Sequence, residues 1–285
     1  MTILVGMICT DGIVLAADSQ ETCLGGVNIK RLDFEKICPL LVTESATIVM
    51  AGSGQGAFIS RAAEILETKL TRSSMIRSPR EVADLAEDTL LEINRRYVTE
   101  RALAMKIDIS EIEKPSLSLL LGMVLKSKEQ SPYSIFSVFP EGVAQKETGY
   151  AALGSGSPFA EYLLSRMYRT SINVVQGSLI AAYIIEQVKS VEPYCGGPTY
   201  ISVIQSGKIF NPTRLQIDRF VEQGNSIDIT FRLFWRVVYG DLEAVPEFNR
   251  VLEEVVAKAA ANRASPGLEN VTASSSAIRE GQHEG

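Results

Sequence analysis

Apolar residues fall in short runs separated by turn-forming ones. Residues 2–9 form one run of strand length, and Thr10-Asp11-Gly12 follows. Asp-Gly between two apolar runs is a hairpin signal. Ile13–Ser19 reads as the second strand, with the carboxylate of Asp18 near its end. Leu40–Thr43 and Ala46–Ala51 repeat the pattern around Glu44-Ser45, and Gly52-Ser53-Gly54-Gln55-Gly56 then interrupts it. Phe58, Ile59, Ala62, Ala63, Leu66 and Leu70 keep the three-to-four spacing of a helix over 56–71. Ser78-Pro79-Arg80-Glu81 predicts the start of a second helix that reaches 104, with Ser78 and Glu81 as a capping box. Strands are predicted at 116–125, 132–139, 146–153 and 199–205, and helices at 158–169 and 174–189. Ser206-Gly207 is a turn signal.

Past residue 212 the pattern changes. Residues 227–238 are apolar and fit a strand or a helix equally, whereas Pro246 opens an amphipathic helix with Phe248, Val251, Leu252, Val255, Val256 and Ala259 on one face. From Ser265 the chain is polar, and the composition predicts a disordered tail. Runs of strands alternating with pairs of helices imply an α+β fold. The strands are almost wholly apolar, which fits sheets buried on both faces. The expected arrangement is two antiparallel sheets in the middle with helices outside. The chain divides into a main domain, 2–212, an extension, 213–264, and the tail, 265–285.

Hydrophobic residues make up 46% of the 285, which excludes a chain without a core. A net charge of −6 argues against nucleic acid or an anionic membrane surface as partner. No apolar run approaches the roughly 18 residues of a membrane span. The first residues lack a signal-peptide pattern, and Cys9, Cys23, Cys38 and Cys195 are scattered, so a cytoplasmic chain with reduced thiols is expected. The sole histidine is His283, third from the end. A Ser-His-Asp triad, a Cys-His pair and a His-ligated metal are thereby disfavoured. No metal and no cofactor are expected.

If the chain is an enzyme, its base is something other than imidazole, and Thr2 carries one. With Met1 trimmed, its hydroxyl is a nucleophile and its α-amine, of pKa about 7.7–8.0, a base on the same residue. Asp18 lies six residues past Gly12 and Thr2 ten before it, so the hairpin brings the carboxylate toward the chain start. An ammonium at Lys36 would favour the ionised hydroxyl, and Asp18 would hold that ammonium. Gly52 allows a backbone N–H to approach an oxyanion, an interaction worth about 2.7–4 kcal/mol. Ser155 is placed to bond a terminal amine. Each has an ordinary reading as well: Asp18 a strand-end cap, Lys36 a surface lysine, Gly52 a turn, Ser155 a helix cap. Glu192 and Cys195 precede Gly196-Gly197, which permits a tight turn.

These residues carry a resemblance. The opening from Thr2-Ile3-Leu4-Val5-Gly6 through Asp11-Gly12 to Ala16-Ala17-Asp18-Ser19 resembles proteasome β-type subunits. Met50-Ala51-Gly52 is similar to their substrate-binding strand, Gly154-Ser155-Gly156-Ser157 to their Gly-Ser-Gly-Ser segment, and Cys195-Gly196-Gly197 to their Ser-Gly-Gly. The resemblance spans 2–210. It implies a four-layer αββα sandwich of the N-terminal nucleophile hydrolase class and assembly of copies into stacked rings. It also implies a threonine-type endopeptidase acting on peptide or unfolded-protein substrates, with an ATP-dependent unfoldase as the kind of partner such a peptidase works with. Thr2 is then nucleophile and base, Asp18 and Lys36 tune it, Gly52 supplies the oxyanion amide and Ser155 supports the amine. Thr22 and Gly54 would pair with the substrate strand from opposite sides, and Met50 would face the pocket for the residue before the cleaved bond. The interval from Asp18 to Lys36 exceeds that of typical members, with Lys30 as the fallback. Glu192 and Cys195 replace the usual Asp and Ser that orient the terminus. The extension and the expectation that no self-cleavage is needed point toward a bacterial proteasome-like peptidase. The competing readings are a non-catalytic ring subunit and an amidase acting on small amides.

Overall fold

A computed structural model describes residues 2–25, 27–73, 76–126 and 132–264. His283 and the tail predicted as disordered lie outside the described residues. The chain begins with the predicted hairpin, β1 (Ile3–Cys9) and β2 (Gly12–Asp18), and continues through β3 (Glu21–Gly25), β4 (Val27–Arg31), β5 (Ile37–Val42) and β6 (Ala46–Gly54). Two helices follow, α1 (Gly56–Arg72) and α2 (Pro79–Asn94), the latter running through one wide turn into α3 (Glu100–Met105). Then come β7 (Leu117–Leu125), β8 (Tyr133–Phe139), β9 (Val143–Glu147) and β10 (Tyr150–Gly154). Helices α4 (Ser157–Met167) and α5 (Val174–Val191) lead to β11 (Thr199–Gln205) and β12 (Lys208–Phe210). The chain closes with α6 (Arg214–Val238) and α7 (Val245–Ala264).

Two five-stranded sheets form, ordered β10-β1-β2-β11-β12 and β5-β6-β7-β8-β9, with every pairing antiparallel. Strand alternation sorts the side chains into three layers. On β1, Ile3, Val5 and Met7 pack on α4 and α5, whereas Leu4 faces the other sheet. On β6, Ile48 and Met50 pack on α1 and α2, and Val49 and Ala51 face inward. Both faces of each sheet are therefore dry. This explains the unbroken apolar runs and confirms the αββα sandwich.

Several local features depart from the sequence expectation. Strand β6 runs on through Gly52 and Ser53 to Gly54, because β7 keeps pairing with it to Leu117. The predicted strand 146–153 is two strands in different sheets. Between them Gly149 sits against Tyr168, where a Cβ would lie 2.9 Å from the ring. Ser78 caps α2 as predicted, but Glu81 reaches back to the N–H of Arg77 rather than that of Ser78. The ambiguous segment 227–238 is helical. Division at 212/213 cuts through packing. Ile217 and Phe220 of α6 belong to the core that includes α5, and Asp228 accepts from Tyr183 Oη at 2.7 Å and Gln187 Nε2 at 2.8 Å. The later half of α6 and α7 build a small cluster of their own around Leu233, Ala244 and Val251.

Candidate active site

The site is built at the open end of the β1–β2 hairpin. Register sets Leu4 opposite Ala17, so Ile3 lies beside Asp18, the last residue of β2. The N–H of Ile3 donates to Asp18 Oδ1 at 3.1 Å. The same oxygen accepts from Lys36 Nζ at 2.7 Å, and Oδ2 accepts from the Gly196 N–H at 3.0 Å. Lys36 donates also to the Gln20 carbonyl at 2.6 Å. Asp18 and Lys36 are 0% and 2% exposed. Burial holds the Lys36 ammonium below its usual pKa, although Asp18 opposes that shift. The lysine at Asp18 is thus Lys36, despite the long interval; the side chain of Lys30 lies outside the described residues.

Thr2 stands one residue before Ile3 and is wholly buried. Its Oγ1 has no hydrogen-bond partner among the described residues. A buried hydroxyl left without a partner costs about 1–3 kcal/mol, so it calls for a bound water or a reactive role. Its carbonyl is covered by Gly154, whose φ is +102° and where a Cβ would lie 2.0 Å from the Thr2 oxygen. Only glycine fits there. Ser155 Oγ lies 3.9 Å from Cys195 Sγ, so these two predicted residues meet each other. Burial, reinforced by Asp18, pushes the Cys195 thiol up to about 12 and keeps it neutral.

Other predicted residues are placed differently. The Gly52 N–H donates to the Lys36 carbonyl at 2.9 Å, so the amide expected to be free is taken. The glycine serves packing as well, since a Cβ would fall 2.4 Å from Ile59 Cγ2. Met50 is fully buried between its sheet and α1, in the cluster that also holds Ile48 and Ile59. Glu192 shapes the turn after α5: its carbonyl accepts from the Cys195 N–H at 3.0 Å and its carboxylate from the Tyr194 N–H at 3.2 Å. Thr22 pairs with Lys30 in the separate β3–β4 hairpin. Gly54 closes β6 with φ +124°, packed on the Ser116 carbonyl. Sequence reasoning missed the roles of Gln20 and Gly196. Both act through backbone atoms, which leave no side-chain signal.

Among the described residues, no cluster of His, Cys, Asp and Glu suits a metal ion, and no helix is long and apolar enough to cross a membrane.

Two antiparallel sheets between helices, with the first strand running from a buried threonine beside a carboxylate–ammonium pair, define the N-terminal nucleophile hydrolase class. Sequence comparison narrows this further. The family described as proteasome subunit matches residues 2–204. A proteasome subunit beta from Methanocella paludicola is 30% identical over 212 residues, covering 73% of this chain and 89% of that one. Another, from Ferroglobus placidus, is 25% identical over 225 residues and covers 78% and 95%. This chain belongs to the proteasome subunit family. Among solved structures, Anbu (ancestral beta-subunit) from Yersinia bercovieri superimposes with a TM-score of 0.65 at 16% identity, over 80% of this chain and 95% of that one. An Anbu (Gly-1) mutant from a Hyphomicrobium strain gives 0.65 at 15% identity, over 82% and 96%. At such identities the likeness speaks for the fold alone.

Proposed function

We propose that the chain is a threonine-type peptidase whose nucleophile is Thr2 after removal of Met1. The observation that carries this is the conjunction of an unpartnered, buried Thr2 hydroxyl with the Asp18–Lys36 pair anchored on the next residue's N–H. The hydroxyl attacks a peptide carbonyl and its proton passes to the α-amine. The C–N bond then breaks, the leaving amine takes that proton, and an ester remains on Thr2. Water hydrolyses the ester and restores the hydroxyl. Lys36 stabilises the developing alkoxide, and Asp18 fixes the ammonium in place. Peptides or unfolded chains are the substrates, copies of the chain assemble in rings, and the work is done in the cytoplasm.

One observation favours the alternative of a ring subunit without activity. The Gly52 amide is bonded to Lys36, so the oxyanion donor must be released by a backbone shift or supplied by another group. One experiment separates the two. The purified protein is sequenced from its N-terminus and treated with an acylating β-lactone. A chain starting at Thr2 that gains the inhibitor's mass on its first peptide, with no gain in Thr2→Ala, supports the peptidase. Retained Met1, or equal labelling of the Ala variant, rejects it.

A further inference from the structure

A second polar site lies away from Thr2, at the lateral edge of the sandwich. Strand β9 ends one sheet and β10 ends the other, and the turn through Thr148 and Gly149 joins them. The cleft between these edges has a volume of about 570 Å³, within the range of small-molecule sites. It shares no lining residue with the Thr2 site. Its lining includes Glu147, Glu161, Gln145 and Ser137, with the rings of Tyr150 and Tyr168, and no lysine or arginine.

Two features at this cleft are unexplained by the fold. Ser137 is 1% exposed, and its hydroxyl has no partner. Parity on β8 puts it on the inward face with Ile135, and it lines the cleft. A buried hydroxyl facing a polar cavity is satisfied only by something that enters the cavity. The second feature is charge. Partial burial raises the pKa of Glu161 against the Ala152 N–H that lowers it, and the charge of Glu147 adds to the rise. One oxygen of Glu161 accepts from the Ala152 N–H at 3.0 Å, on the free edge of β10. Neither carboxylate has a cationic partner among the described residues. Tyr150 and Tyr168 stand edge to face at 5.2 Å, and Tyr168 donates its hydroxyl to the Ile8 carbonyl at 2.9 Å.

We propose that this cleft binds a small organic cation, an ammonium or guanidinium head on an aliphatic body. Glu147 and Glu161 share the head, Ser137 accepts a hydrogen bond from it at the floor, and the tyrosine rings pack on the body. A planar or tetrahedral N–H donor suits paired carboxylates, and aromatic walls favour an organic cation. Two carboxylates fall short of the ligand set that a bare metal ion takes.

The test is calorimetric titration of the full chain with agmatine, which carries both heads and no amide, so the outcome does not depend on Thr2. Saturable binding is expected, weakened about tenfold in Glu147→Gln and in Glu161→Gln. Glutamine at 161 retains an acceptor for the Ala152 N–H, so thermal unfolding is expected to be unchanged. Ser137→Ala is expected to weaken binding severalfold while the unfolding temperature holds or rises, because the orphan hydroxyl is gone. Displacement of agmatine by acetyl-arginine amide assigns the cleft to a peptide side chain, and failure to displace assigns it to a free amine. Absence of saturable binding at millimolar agmatine overturns the proposal. So does an affinity unchanged from wild type in both glutamine variants.

Discussion

Two lysine–carboxylate pairs sit one strand apart, since Thr199 of β11 is the register partner of Asp18. In one, Lys189 donates to Glu186 at 2.7 Å and to Thr199 Oγ1 at 2.6 Å, and Thr199 donates to Glu186 at 2.7 Å. The triangle is closed, and its charged groups are 11% and 32% exposed. In the other, Asp18 gathers donors from three separate segments, and both charges are out of water. The Thr199 hydroxyl is bonded within its triangle, whereas the Thr2 hydroxyl, one residue before Ile3, has no partner among the described residues. A lysine–carboxylate pair is thus no signature of chemistry by itself. What sets the Asp18 pair apart is that it gathers backbone donors, among them the Ile3 N–H one residue from Thr2 and its unpartnered hydroxyl.

The comparison is broken first at Thr2. Thr2→Ala is expected to abolish the covalent adduct and lower peptide hydrolysis by at least about a thousandfold, read by mass spectrometry and a fluorogenic peptide. Next comes Lys36→Met, which strands the Asp18 carboxylate in the interior. A loss of about 3–5 kcal/mol in urea unfolding is expected, together with loss of acylation. The wild-type pH dependence has a fixed sign. The Lys36 pKa lies below its free value of 10.5 in the fold, so the unfolded chain takes up the proton more readily. The penalty is full below the lowered pKa and vanishes as pH rises to 10.5. Stability attributable to Lys36 therefore increases with pH across that window, and a flat difference between wild type and Lys36→Met would contradict it. Lys189→Met, in the partly exposed triangle, is expected to cost about 1 kcal/mol or less and leave acylation intact. An effect as large as that of Lys36→Met would erase the distinction. The smallest change is Cys195→Ser. A hydroxyl donates and accepts better than a neutral thiol toward Ser155, so a severalfold change in kcat is expected with KM unchanged.

The strand order around the hairpin was readable because both partners are local. Asp-Gly sets the turn, and parity then places Asp18 beside the first strand residue. Helices α1, α2, α4 and α5 were readable from period and caps. Strands β3, β4 and β12 were not, for they are short and carry little apolar patterning. Polar Lys146-Glu147-Thr148-Gly149 marks the break between β9 and β10, but only strand pairing decides that the two sides belong to different sheets. In the site, Thr2, Asp18 and Lys36 were legible as residue types. The bond that takes up the Gly52 amide and the burial of Met50 against α1 were not legible, because both depend on which neighbours the strand has found.

From its sequence alone this chain is a two-sheet sandwich with a threonine, an aspartate and a lysine at one end, for hydrophobic period and turn chemistry are local properties. Which lysine meets the aspartate, which amides are spent, where α6 docks and that two glutamates share a cleft with an unsatisfied serine are matters of tertiary structure. They depend on contacts between residues distant in the chain, and only the closing of the sheets on one another settles those.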